Sequence, residues 1–184
     1  STLRADNVVR MRIEGGEGDL SYSVRGAGEG GKVDINSVSE GELLEILEKG
    51  GLPEEEAESV RDAILDWRDA DDDRRPRGAE AAEYSLLREP LLPRNGKLAG
   101  IEELRCVAGV TREFFDRFLS RVFTVHGSAS RMDPSIASEI VLNSVPGVTR
   151  EGVAEILAMR SEGAAFSAAE LAGMAARGLL TQKA

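Results

Sequence analysis

One cysteine, Cys106, stands among 184 residues, so no disulfide can close within the chain. That absence does not exclude an oxidising compartment; it means only that this fold is not stapled in that way. With Leu104 and Val107 as neighbours, Cys106 is predicted to be a buried structural thiol. Histidine is equally scarce: His126 precedes Gly127 with no partner motif around it, and Cys106 has no base or cation signature beside it. Neither proton transfer through histidine nor an activated thiol is therefore indicated. The glycines of 26–31 lack the strand-to-helix setting of a phosphate cradle. No enzyme is expected. Aromatic residues make up 4% of the chain, which leaves the core to Leu, Val, Ile and Ala. No apolar run approaches the roughly 20 residues of a membrane helix, and no signal peptide is visible. Any membrane anchor is expected upstream of Ser1.

Positive charge is also in deficit. Acidic side chains number 33 against 23 basic ones, a formal charge of -10, which repels phosphate backbones and suits a divalent cation or a basic protein partner.

Two early segments, Val8–Ile13 and Leu20–Val24, alternate apolar and polar residues around the turn-rich 15–18 and predict an antiparallel hairpin. From Asn36 the period becomes helical. Ser37 and Glu40 offer a capping box ahead of Leu43, Leu44, Ile46 and Leu47, and Gly50-Gly51 ends that helix. Pro53 opens a second helix with the stripe Ala57, Val60, Ala63, Ile64 and Trp67. Arg121–His126 reads as one late strand, Asp133-Pro134 as a helix start, Ser167 and Glu170 as the start of a last helix, and 181–184 as a fraying tail.

Residues 104–113 and 142–151 repeat, agreeing at seven of ten positions, and a weaker copy begins at Gly51. Each copy reads as helix, tight turn, helix, with Gly109 and Gly147 supplying a positive φ. Such turns are similar to helix-hairpin-helix units, some of which bind nucleic-acid phosphates. Here Glu113, Glu151, Glu155 and Glu162 flank Arg112, Arg150 and Arg160, so packing is favoured over DNA binding.

The segment with chemistry in it runs from Asp66 to Tyr84. Counting Asp69 as position one, carboxylates fall at one, three, five and twelve: Asp69, Asp71, Asp73 and Glu80. Alternate residues of a tight loop converge on one centre, and calcium takes six to eight hard oxygens in irregular loops. Asp66, Asp72 and Glu83 could complete this site or begin a second. Arg74 and Pro76 occupy positions where a standard EF-hand has Gly and an aliphatic residue, so the backbone turns differently, with Gly78 the candidate. A solvated acidic loop balanced by Arg68, Arg74, Arg75 and Arg77 is the alternative.

The run Asp66-Trp-Arg-Asp-Ala-Asp, then Gly78-Ala-Glu and Tyr84, resembles the signature of the type II secretion minor pseudopilin family called general secretion pathway protein K. Val33-Asp-Ile-Asn36, Glu103–Val110 and Phe123-Thr-Val125 are similar to that family in the same order, over about 33–160. The resemblance implies a pilin-like protein with calcium in an inserted helical domain. It also implies the periplasmic domain of an inner-membrane-anchored protein at the pseudopilus tip, beside minor pseudopilins I and J, with secreted proteins as further partners. Arg131–Ser135, and the lack of closing strands after Phe166, depart from the family pattern.

The expected fold is α+β and predominantly helical: a small antiparallel sheet with a large inserted helical domain containing helix-hairpin-helix-like repeats. Its expected parts are a hairpin over 1–32, the helical domain over 33–120 with the calcium loop 66–84, a returning strand over 121–130 and a helical hairpin region over 131–184.

Overall fold

A computed structural model describes residues 8–13, 20–25, 29–87, 89–127, 132–163 and 166–180. The turn at 15–18, the joint at 26–28, Arg131 and the tail at 181–184 lie outside the described residues. The elements in chain order are β1 (Val8–Ile13), β2 (Leu20–Arg25), β3 (Val33–Asp34), α1 (Glu40–Lys49), α2 (Glu54–Arg68), α3 (Ala81–Ser85), α4 (Arg112–Phe114), α5 (Ser120–Val122), β4 (Phe123–Thr124), α6 (Glu139–Ser144), α7 (Arg150–Ser161) and α8 (Ala168–Ala176). Short 3-10 turns occupy Glu29–Gly31 and Ile101–Cys106, and a π-helical turn occupies Phe115–Leu119.

β1 and β2 pair antiparallel, with Val8 opposite Arg25 and Ile13 opposite Leu20. The late strand does not extend an antiparallel sheet. β4 pairs in parallel with β3, Val33 against Phe123 and Asp34 against Thr124, and the Ile35 N–H donates to Thr124 O at 2.9 Å. Parallel neighbours need a long crossover, and the helical segment from α1 to α5 supplies it. The expected antiparallel closure therefore fails. Alternation along 121–126 indicates a strand but carries no information about its direction, and residues 120–122 are in fact the last turn of helix.

α1 begins two residues later than its spacing suggests. Ser39, not Ser37, is the cap, and it forms a capping box with Glu42. Asp34 decides this. Its carboxylate accepts from the Asn36 N–H at 2.9 Å and its carbonyl accepts from the N–H groups of Ser37 and Val38, so a turn occupies the positions where the first cap would stand. Asp133 likewise starts a turn rather than a helix, accepting from the Ser135 N–H at 2.8 Å, and α6 opens only after Ser138. The box at Ser167 and Glu170 forms as read.

Two apolar clusters make the interior. The larger gathers Leu43, Ile46 and Leu47 of α1, the stripe Ala57, Val60, Ala63, Ile64 and Trp67 of α2, and Phe114, Phe115, Phe118 and Leu119. The smaller is built by Val141, Leu142, Val153, Ile156 and Met174, and Val33 and Ile140 pack against both. Cys106 is exposed, which corrects the expectation of a buried thiol. The 3-10 turn repeats every three residues, so Leu104 and Val107 face inward and Cys106 faces solvent.

The two repeats share their turns but not their helices. Gly109 and Gly147 have φ of 80° and 84°. Thr111 and Thr149 cap the helices that start after them, accepting from the Phe114 and Gly152 N–H groups at 3.1 and 3.0 Å. In the first copy, however, a 3-10 turn leads in and a three-residue helix passes into the π-turn, whereas the second joins α6 to α7. Two equivalent helix-hairpin-helix units are therefore not formed, and Phe114, Phe115 and Phe118 of the first copy enter the core from the short helix and the π-turn.

Candidate cation site in the acidic loop

α2 ends in two aspartates one turn apart, a spacing that puts both on the same helix face. Asp62 and Asp66 are buried, at 3% and 0% exposure. Each reaches the backbone of the following loop. The Arg77 N–H donates to Asp62 Oδ2 at 3.2 Å, and the Arg75 N–H donates to both oxygens of Asp66 at 3.3 and 3.2 Å. The Arg61 side chain lies 2.7 Å from Asp62, and Arg75 Nε lies 3.5 Å from Asp66. Charge-assisted bonds of this kind hold a loop more firmly than neutral ones. The chain approaches so closely that a Cβ at Gly78 would lie 2.0 Å from Asp66 Oδ2. Gly78 is thus required by contact with Asp66, not by a positive φ.

The aromatic frame holds the loop from the other side. Trp67 and Tyr84 meet edge to face with centroids 5.2 Å apart. The Ala108 N–H donates to the Tyr84 hydroxyl at 3.0 Å, and Trp67 Nε1 donates to Glu103 at 3.4 Å. Arg68 donates to the carbonyls of Ile35 and Val38. Asn36 exchanges two bonds with Leu98, at 3.0 and 2.8 Å. The Val33–Asn36 run, the acidic loop and the 94–98 segment are tied together in this way.

Among the described residues, the buried side-chain oxygens without a hydrogen-bond partner are Asp69 Oδ1, both Oε atoms of Glu80 and Asn95 Oδ1. Burial, and then the charges of Asp66, Asp69, Asp72 and Asp71, push the Glu80 carboxyl up to about 7. Burial also raises Asp69, with Asp71 adding repulsion, and it raises Asp66 against the bond from the Arg75 N–H. Of the candidate carboxylates, Asp66, Asp69, Asp71, Asp72 and Glu80 share one field. Asp73 stands exposed on the loop with its N–H on Asp71 Oδ1 at 3.0 Å. Glu83 turns to Arg74 at 3.3 Å and accepts from the Glu80 N–H at 3.0 Å. Asp72 accepts from Asn95 Nδ2 at 2.8 Å. No three of the described His, Cys, Asp and Glu side chains stand together as a ready coordination shell.

Spacing missed Asp62 and Asn95. Asp62 reads as one more surface charge until the loop folds onto it. Asn95-Gly96 is a turn signal, but nothing local links it to Asp72, 23 residues away. Chemically, an all-oxygen set containing unpartnered buried carboxylates suits a hard cation such as calcium.

One consequence concerns pH. A carboxyl whose pKa is raised on folding contributes stability that is fully present below its unfolded value, near 4.5 for Glu80, and lost as pH rises through its folded value, about 7. The metal-free chain is therefore expected to lose on the order of 1–3 kcal/mol between these two values, as urea midpoints would report. Midpoints that stay level or rise across that window would contradict this assignment.

In fold, the chain is similar to the crystal structure of the GspK-GspI-GspJ complex from the enterotoxigenic Escherichia coli type 2 secretion system. The TM-score is 0.60 and the identity 15%, over 82% of this chain and 54% of that one. That likeness is one of fold. Residues 24–126 match the family model of type II secretion system protein K, and the chain belongs to that family. It is also 29% identical over 108 residues to type II secretion system protein K of Pectobacterium carotovorum subsp. carotovorum, covering 54% of this chain and 33% of that protein. The chain thus spans a third of that curated relative and about half of the matched structure. No helix among the described residues is long and apolar enough to cross a membrane.

Proposed function

We propose that this chain is the periplasmic part of a non-enzymatic minor pseudopilin, attached to the inner membrane by a segment outside this sequence. Its work is to help form the pseudopilus tip beside pseudopilins of the I and J type, within reach of secreted proteins. The observation that carries this reading is the family match over 24–126, which spans the acidic loop and its supports. Purified chain mixed with the I- and J-type proteins of its own secretion system should elute with them as one complex. Independent elution of all three would defeat the proposal.

Calcium in the acidic loop belongs to the same reading, as a structural ion and not a catalytic one. Support comes from the unpartnered oxygens of Asp69 and Glu80 beside Asp66, Asp71 and Asp72. A bound divalent cation would supply neutralising charge there and let Glu80 ionise. Duplex DNA is a weaker reading. The Thr149 N–H, at the turn that would meet a phosphate, already donates to Leu179 O at 3.1 Å, and Val148 bridges to Leu180. The net charge of -10 opposes it as well.

A further inference from the structure

We infer that the segment between Tyr84 and Asn95 is a strap fastened at both ends to the acidic loop, with Asn95 as its latch, and that a divalent cation in the loop tightens it. This rests on the cation reading above. At one end Glu80 and Tyr84 of the α3 region are buried, with Tyr84 held by Trp67 and by the Ala108 N–H. At the other end the Asn95 amide donates to Asp72 Oδ1 at 2.8 Å and to Asp71 O at 3.4 Å, and its own Oδ1 is buried without a partner. Asn95 has a φ of 48°, the one positive value at a described non-glycine residue. Asparagine tolerates that conformation, but contacts of its side chain must sustain it.

Among the described residues, little else between these ends holds the strap. Leu86 and Leu92 are 86% and 74% exposed. Leu91 packs partly on the core, and Arg94 meets Glu103 at 3.1 Å in a surface pair, which holds weakly. The latch therefore depends on where Asp71 and Asp72 sit. Without a cation those two carboxylates stand in one loop with Asp69 and Glu80, whose buried oxygens have no partner, and mutual repulsion of like charges favours spreading the loop and slackening the bond to Asn95. Neutralising that field fixes Asp72 and draws the strap in.

Hydrogen exchange over residues 86–97, with calcium titrated by calorimetry in parallel, tests this. In the unaltered chain calcium should slow exchange at 94–97 by roughly tenfold, the scale set by one or two hydrogen bonds. Asn95→Gly keeps the positive φ without strain and removes the amide. It should still bind calcium yet lose most of that slowing. Asn95→Ala, which removes the amide without adding charge, should behave alike and stands in if the glycine variant does not fold. Bound calcium with no slowing in the unaltered chain, or equal slowing in the variants, overturns the latch and leaves the cation reading intact. Calorimetry that detects no calcium overturns both.

Discussion

Gly78→Ala is expected to lower stability by about 3 kcal/mol, the upper range for forcing extra volume into a packed site. The added Cβ would lie 2.0 Å from Asp66 Oδ2, 2.8 Å from its Cγ and 3.2 Å from the Asp62 carbonyl carbon. One of those is backbone and cannot swing away. Asp66 could move only by giving up its two bonds from the Arg75 N–H, which would leave a charge buried without partners. The loop would then detach from α2, taking the acidic cluster with it. Denaturant midpoints report the loss, and Gly96→Ala is the control, since nothing stands closer than 3.9 Å to a Cβ there. Equal midpoints for the two variants would remove Asp66 contact as the reason for Gly78.

Calcium is expected to raise the melting temperature of the metal-free chain by about 5–10 °C. A ligand that binds only the folded state at 100 times its dissociation constant adds about 2.7 kcal/mol, and a chain of this size gains roughly 2–4 °C per kcal/mol. Magnesium, which keeps more of its waters, should do less. Glu80→Gln sharpens the test because its two effects have opposite sign. It removes a carboxylate that burial and four neighbouring aspartates disfavour, so the metal-free variant should melt higher than the unaltered chain near neutral pH. It also removes two oxygens that have no partner, so most of the response to calcium should vanish. An unchanged melt on adding calcium would end the structural-calcium proposal, and a Glu80→Gln variant that melts lower without metal would overturn the account of Glu80 as a repelled charge.

The run from Asp66 to Tyr84 is held together pair by pair. Asp66 and Gly78 belong together because one needs the space that the other leaves empty. Trp67 and Tyr84 belong together because their rings meet edge to face, and Tyr84 further holds the turn before Gly109 through Ala108. Asn36 pairs with Leu98 much as a neighbouring strand would. These supports surround the acidic loop, so Trp67, Gly78, Tyr84 and Asn36 shape the loop without being candidate ligands.

The sequence by itself determined several local elements and the crowding of carboxylates in the loop. The stripe from Ala57 to Trp67 is buried as its period demands, and the box at Ser167 and Glu170 forms because each of its bonds spans only three residues. Asp69, Asp71 and Glu80 were legible as candidates because crowded like charges signal themselves in composition and spacing. What required the tertiary structure was everything that joins distant residues. The direction of β4 depends on how a long crossover brings it back to β3. Cys106 faces solvent because Leu104 and Val107 take the inward positions of a 3-10 turn. Asp73 leaves the carboxylate group for solvent and Glu83 leaves it for an arginine, while Asn95 joins it from 23 residues beyond Asp72. Periodicity reads which face of an element is apolar; it holds no record of what that face, or a lone side chain, will meet once the chain has closed on itself.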